Sequence, residues 1–223
     1  MNSKINNYIA KKISNANEKI FLGNRTSHSF ILDPTRLLFS LSRYKFVSKM
    51  FEGFKDVLEV GAGDGFKSII VKSKVKNLLL TDIENTNLKD FENNKIKSRF
   101  NIDYILHNFE KEKLSKKFDG IYMLDVFEHI NKKNEDIFLK NILYSLKKNG
   151  SLIIGIPSLE SQKYASKLSK MGHINCKSKD QLKNFLKKYF CNVFLFSMND
   201  EVLHTGYGAM SHYLFALACS RIK

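Results

Sequence analysis

Four short apolar runs in this chain each end in residues able to do chemistry. The stretch Asp56-Val57-Leu58-Glu59-Val60-Gly61-Ala62-Gly63-Asp64-Gly65 sets three glycines at alternate positions after an apolar run. Glycine lets the backbone pass close to a ligand and adopt positive φ without steric cost. The N–H groups that open the following helix favour an anionic group. Residues 77–82 end in Asp82, an acid able to accept hydrogen bonds from two ribose hydroxyls. Residues 102–106 lead to Asn108 and Phe109, a side-chain amide beside a flat apolar face suited to a purine. Residues 118–125 end in Asp125, followed by Glu128 and His129. In open α/β sheets ligands bind beyond the carboxyl ends of the strands, so these four ends describe a nucleoside site.

Two ligands fit that pattern, a dinucleotide or S-adenosylmethionine. The dinucleotide fingerprint needs a third glycine three residues after the second, and position 66 is Phe. The spacing Glu59-x-Gly61-x-Gly63-x-Gly65 instead resembles motif I of the class I S-adenosylmethionine-dependent methyltransferases, and the resemblance extends in order from Val57 to Pro157. It implies cofactor contacts from Glu59, Gly61, Ala62, Gly63, Asp64, Asp82, Ile83, Asn108, Phe109, Leu124 and Asp125. It also implies S-adenosylhomocysteine as product. The family often has Asp where this chain has Asn108.

Asp125, Glu128 and His129 stand at i, i+3 and i+4, on one face if the chain turns helical there. Three readings stay open. His129 acts as a general base poised by Glu128; or the trio holds a divalent cation, as similar segments suggest for ubiquinone-pathway O-methyltransferases; or Glu128 and His129 brace the cofactor loop. No metal ligand set is assigned. His173, on the loop 172–177, is a second candidate for base or substrate contact.

The elements that must position these groups follow from periodicity. Asp33-Pro34 is a helix start, with Asp as N-cap and Pro at the first helical position. Leu38, Leu41, Tyr44, Val47, Met50 and Phe51 then recur at three- and four-residue steps, with Arg36, Arg43 and Lys45 on the polar face. Further helices are expected over 134–147, 159–171 and 178–188, with Ile137, Phe138, Ile142 and Leu146 on one side of the first. Strands are expected over 151–156, 192–197 and 212–219. Buried strands alternating with helices indicate a doubly wound, Rossmann-like α/β fold. The expected sheet is mostly parallel and seven-stranded, with an antiparallel C-terminal edge hairpin. The chain reads as one domain, with residues 1–52 a leader and helix over the active site and 53–223 the cofactor-binding core.

Residues 1–30 show no clear periodicity, and Arg25 and His28 lie in their compact polar group 24–28. The tail 196–213 is polar and aromatic, and long loops of that kind concentrate function. It is similar to the tails of methyltransferases associated with bacterial surface-polysaccharide synthesis, and residues 42–47 resemble their leader helix. That resemblance implies a sugar, nucleotide-sugar or phosphorylated capsule precursor, including a phosphoramidate, as acceptor. Arg25, His28, Tyr44, His204, Tyr207 and His212 are the expected substrate contacts.

With 37 Lys and Arg against 22 Asp and Glu, the formal net charge is +15. That balance favours acidic partners, but the charges are scattered and form no nucleic-acid recognition motif, so a small acidic substrate is expected rather than RNA. An RNA-binding protein or RNA methyltransferase, suggested by the charge alone, is the alternative reading, and a nicotinamide-dependent oxidoreductase is the less favoured rival. Cys176, Cys191 and Cys219 are odd in number and form no CxxC pair, which points to reduced thiols. Asn and Lys interrupt the apolar residues of 1–18 and leave no signal-peptide core. A soluble, cytoplasmic protein without membrane insertion is expected. Its oligomeric state is left open, with a homodimer among the options.

Overall fold

The structure, a computed structural model, describes residues 3–14 and 20–222. Positions 1–2 and 15–19 of the expected leader lie outside them. The helices are α1 (Ser3–Ser14), α2 (Asn24–Leu32), α3 (Thr35–Met50), α4 (Ser68–Lys72), α5 (Asn85–Asn93), α6 (Ile96–Phe100), α7 (Glu135–Tyr144), α8 (Lys167–Gly172) and α9 (Lys179–Leu186). The strands are β1 (Asp56–Val60), β2 (Asn77–Asp82), β3 (Asp103–Leu106), β4 (Phe118–Leu124), β5 (Leu146–Pro157), β6 (Phe190–Asn199), β7 (Val202–His204) and β8 (Tyr213–Arg221).

They form one sheet in the order β3-β2-β1-β4-β5-β8-β6-β7. The pairs from β3 to β5 are parallel, whereas β8 runs antiparallel to both β5 and β6. The fold is therefore the expected α/β architecture, with eight strands rather than seven. The extra strand is the short β7, paired antiparallel to β6. The strand order reverses between β1 and β4, and the ends of those two strands frame the glycine turn.

Each face of the sheet carries a core. One is built from Leu58, Ile121, Met123, Leu139, Ile142, Leu182 and Leu186, beneath α7 and α9. The other contains Tyr44, Val47, Phe51, Val57, Leu80, Phe91, Tyr122 and Phe215. Strands buried on both faces read as continuous apolar runs, which is why β1, β2 and β4 are legible from sequence. The Ser178 hydroxyl accepts from the Gln181 N–H while the Gln181 side chain accepts from the Ser178 N–H, a capping box that fixes the start of α9.

Several expected boundaries and faces move. Pro34 caps α3, and Asp33 Oδ1 instead accepts from the Thr35 N–H at 3.0 Å. The buried face of α3 is Tyr44, Phe46, Val47, Ser48 and Phe51, while Leu38 and Met50 are exposed. The helix expected over 134–147 stops at Tyr144, and Leu146 pairs with Phe118 as the start of β5. Ile137 faces solvent. The region 159–171 splits into a 3-10 turn (Glu160–Tyr164) and α8. Within the leader, α1 and α2 are both helical.

Gly65 sits at φ +73°, and a Cβ there would meet the Phe91 ring at 2.8 Å. Phe91 is 1% exposed and has no room to retreat. Gly65→Ala combines left-handed backbone strain with overpacking and is expected to cost about 2–4 kcal/mol. The melting temperature should fall by about 5–15 °C. At Gly53 φ is also positive but the space is open, so Gly53→Ala should show only the smaller conformational part of that loss.

Candidate active site

The glycine turn is shaped by contacts a side chain would destroy. Gly61 has φ +75°, and a Cβ on it would lie 2.2 Å from Val126 Cγ2. The N–H groups of Gly61 and Ala62 both donate to the Thr81 carbonyl, at 2.8 and 3.0 Å. Asp82 Oδ2 accepts from the Gly63 N–H at 2.9 Å and Oδ1 from the Glu84 N–H at 3.0 Å. Each carboxylate oxygen keeps a second lone pair for a ligand hydroxyl. Over Gly63 a Cβ would meet only Arg25 Cδ, at 3.8 Å, so this stretch of backbone is open to a bound group.

That space is a cavity of about 350 Å³, lined among others by Arg25, Gly61, Gly63, Asp82, Ile83, Asn108, Phe109, Asp125 and His129. A second cavity of about 190 Å³ shares Arg25, Gly61, Gly63 and Asp125 with it, and adds Ala62, Asp64, Leu124, Tyr44, Arg36, Lys67, Ser29 and Ser40. Asn108 is held by its own turn, its Oδ1 accepting from the Glu110 N–H at 2.8 Å. Phe109 is 2% exposed and stands edge-on to His107 at 4.3 Å between ring centroids. It is a wall packed into the core rather than a free stacking platform.

Several residues expected at the ligand have polar groups already bonded within the protein. Glu59 is buried; its carboxylate accepts from Tyr44 Oη at 2.6 Å and Tyr122 Oη at 2.5 Å, and it lines neither cavity. Burial pushes its carboxyl above the ordinary range even though hydroxyl hydrogen bonds oppose the shift. The Tyr44 hydroxyl, expected at the substrate, is committed to Glu59. Asp64 accepts from the Thr26 N–H at 2.8 Å and the Thr26 hydroxyl at 3.0 Å, which pins α2 over the glycine turn. His28 is exposed, and among the described residues neither it nor His204, Tyr207 or His212 lines a cavity of this site. His204 sits on β7, four strands from β4, or roughly 19 Å across the sheet.

The end of β4 concentrates acid. Asp125 holds φ +57°, a left-handed conformation that Asp tolerates better than most side chains. Its carboxylate receives both bonds from Arg43 Nη1, at 2.9 and 2.8 Å. The Arg43 guanidinium also lies 3.8 Å over the Tyr213 ring. Burial works against the charge on Arg43, but Asp125, with Tyr213 and Glu128, outweighs it and holds the pKa above its ordinary value. Arg43 was assigned to the polar face of its helix; it points inward. Its i+3 and i+4 neighbours Phe46 and Val47 are both buried, and that spacing was the available signal.

Glu128 is 0% exposed, and neither carboxylate oxygen has a hydrogen-bond partner among the described residues. Burial, then the charge on Asp125, push its pKa well above the ordinary range. At 3.9 Å from His129 Nε2 it makes no hydrogen bond to the imidazole. His129 Nδ1 instead donates to the Gly172 carbonyl at 2.8 Å. A carbonyl only accepts, so Nδ1 carries a proton, and in the neutral ring the lone pair falls on Nε2. His173 repeats the arrangement, with Nδ1 2.9 Å from Gln162 Oε1. The two rings stand 5.3 Å apart. Burial first and His129 second hold His173 below the ordinary imidazole pKa, which favours its neutral form. Ligand atoms of Glu128, His129 and His173 all lie within 4.8 Å of one another.

Fold and site together define a doubly wound domain with a nucleoside-sized cleft beyond β1, β2 and β4. The chain belongs to the methyltransferase domain family, whose pattern it matches over residues 33–193. No curated protein matches the sequence. Among solved structures it is similar to the methyltransferase domain of a bacterial Hen1, CtHen1-C, at 15% identity over 81% of this chain and 98% of that one (TM-score 0.67). The Thermotoga maritima protein described as a possible histamine N-methyltransferase is 16% identical over 88% and 95% (TM-score 0.66). The N-methyltransferase NodS of Bradyrhizobium japonicum WM9, solved with S-adenosylhomocysteine, is 13% identical over 80% and 84% (TM-score 0.61).

A carboxyl whose pKa is raised by folding costs stability once pH exceeds its unfolded value, because the unfolded chain then releases the proton more readily. Glu128→Gln removes that cost. Its melting temperature should exceed that of the unmodified protein by about 3 °C or more at pH 8, and the difference should shrink towards pH 5.

Proposed function

We propose that this enzyme transfers a methyl group from S-adenosylmethionine to an oxygen of a small anionic acceptor, releasing S-adenosylhomocysteine. The observation that carries the reading is the Asp82 carboxylate beside open backbone at Gly63, at the mouth of the larger cavity. The methyltransferase family match and the S-adenosylhomocysteine in NodS support it. In this reading Asp82 takes the ribose hydroxyls, Asn108 the purine edge, and Gly61–Gly65 pass beneath the methionine portion, with Ile83, Ala62 and Leu124 as apolar walls.

The cofactor supplies an activated methyl group, so the chain's task is chiefly alignment of the acceptor. The lone pair of His129 Nε2 is available at the cavity to remove the acceptor proton. The second cavity is cationic: Arg25, Arg36 and Lys67 line it with Ser29 and Ser40, while its acids Asp64 and Asp125 are committed to Thr26 and Arg43. Such a lining suits a carboxylate or phosphate. A sugar, nucleotide-sugar, or phosphorylated or phosphoramidate precursor of a surface polysaccharide is the acceptor class we favour. The cytoplasm is the compartment this implies. Among the described residues no helix is long and apolar enough to cross a membrane.

A specific observation favours a second reading of the same residues. Metal-binding histidines usually donate their other ring N–H to an oxygen; His129 and His173 both do so here, beside the unpartnered Glu128 carboxyl. Those three side chains would hold a divalent cation, which would acidify the acceptor hydroxyl in place of a base.

Asp82→Ala is expected to weaken S-adenosylhomocysteine binding by about 10- to 100-fold in calorimetry, the loss of one or two charged hydrogen bonds. Unchanged affinity would remove the cofactor assignment. His129→Ala should lower kcat about 10²- to 10⁴-fold while leaving cofactor affinity within about twofold. Titration of the protein with Mn²⁺, followed by electron paramagnetic resonance, separates the two readings. Binding that Glu128→Gln abolishes supports the cation, and no binding leaves His129 as the base.

A further inference from the structure

The helix α1 carries an apolar stripe that nothing in the described structure covers. Ile5, Tyr8, Ile9 and Ile13 recur at helical spacing, the pattern by which a surface helix normally packs on a core. Yet they are 55%, 67%, 47% and 68% exposed. The helix holds Lys4, Lys11 and Lys12 and no acid. We infer that α1 docks on an anionic lipid bilayer surface, lying in the headgroup plane with its isoleucines in the apolar layer.

The placement of Lys12 selects this occupant. On a helical wheel it falls inside the apolar arc, between Tyr8 and Ile5. A dry protein interface would have to bury that ammonium without a partner from α1 itself, at high cost. At a bilayer the lysine stem lies among acyl carbons while its charge reaches lipid phosphates. RNA would satisfy the lysines but leave four large apolar side chains in water. The overall charge of +15 draws the chain towards an anionic surface. A second exposed apolar group, Ile31, Leu32 and Leu38, lies where α2 meets α3, beside Arg36. Arg36 lines the cationic cavity, so docking there would bring the site close to the lipid surface.

Co-flotation of the full chain with vesicles tests the inference. Vesicles of phosphatidylcholine with roughly 30 mol% phosphatidylglycerol should bind it at least about tenfold better than phosphatidylcholine alone. The double variants Ile9→Glu/Ile13→Glu and Lys4→Glu/Lys12→Glu should each lower binding about tenfold or more, since a single lysine near such a surface is worth about fivefold. Both should keep the melting temperature of the unmodified protein with S-adenosylhomocysteine, which shows that they fold. Equal binding to both vesicle types, binding to neither, or binding unaffected by Ile9→Glu/Ile13→Glu would overturn the inference. So would light scattering that shows a dimer dispersed by Ile9→Glu/Ile13→Glu, because the stripe would then be a protein interface. Tight binding to an RNA oligonucleotide that the lysine variant alone abolishes would overturn it in favour of nucleic acid.

Discussion

The end of β4 gathers two carboxyls, the partly exposed Asp125 and the wholly buried Glu128. One guanidinium makes this tolerable. Arg43 reaches from α3, forms an ion pair with Asp125, and packs against the ring of Tyr213 at the start of β8. That single side chain therefore ties the N-terminal helices, the middle of the sheet and its last strand to one point. Removing a partner from such a pair costs far more than the pair contributes net, because the remaining charge is left uncompensated. Asp125, in turn, raises the cost of ionising Glu128. Asp125 thus bears both on the raised pKa of Glu128 and on the placement of α3.

A similar logic ties α2 to the glycine turn. Asp64 could have turned towards a ligand; instead Thr26 supplies two donors to it, and Asn24 bonds Asp90 at the start of the same helix. The result is a roof anchored at both the turn and α5. The roof leaves Gly63 uncovered and contributes Arg25 to both cavities. Beneath it, Glu59 joins Tyr44 of α3 to Tyr122 of β4. Polar groups inside the fold are spent on joining elements, and the groups left over mark where a ligand goes.

The sheet was legible in the sequence because β1, β2 and β4 are largely buried and read as near-continuous apolar runs ending in Gly61, Asp82 and Asp125. Their order along the chain then located the cleft. What escaped was long-range. Nothing local marks Glu59 as a partner of two tyrosines, or Asp64 as the receptor for Thr26, since those contacts join positions far apart in the chain. Arg43 has a partial local signal in its spacing to Phe46 and Val47, but its partner Asp125 lies far along the chain. Helix α2 was hidden by its own composition, Asn-Arg-Thr-Ser-His-Ser, which has weak helical propensity and needs tertiary contacts to form. The helix expected over 134–147 ends at Tyr144 for a related reason. Leu146 fits an amphipathic helix, but pairing with Phe118 at the edge of β4 won. His204, Tyr207 and His212 look functional by type; His204 lies on the far strand β7, and none of the three lines either cavity.

The position of β8 has a consequence for how the molecule assembles. It lies between β5 and β6, although all of α8, α9, β6 and β7 precede it in the chain. Strand β6 can reach the parallel part of the sheet only through β8, so these two must pair with each other before or while they dock on β5. Until then β5 presents an open edge along Leu152, Ile153, Ile154 and Ile156, side chains that end up wholly buried. Such an edge is a template for pairing with another chain, and closing it requires a contact across a long loop, which is slow. The hazard of misassembly in this protein therefore sits at the edge of β5, two strands from β1 and the glycine turn that defines its chemistry.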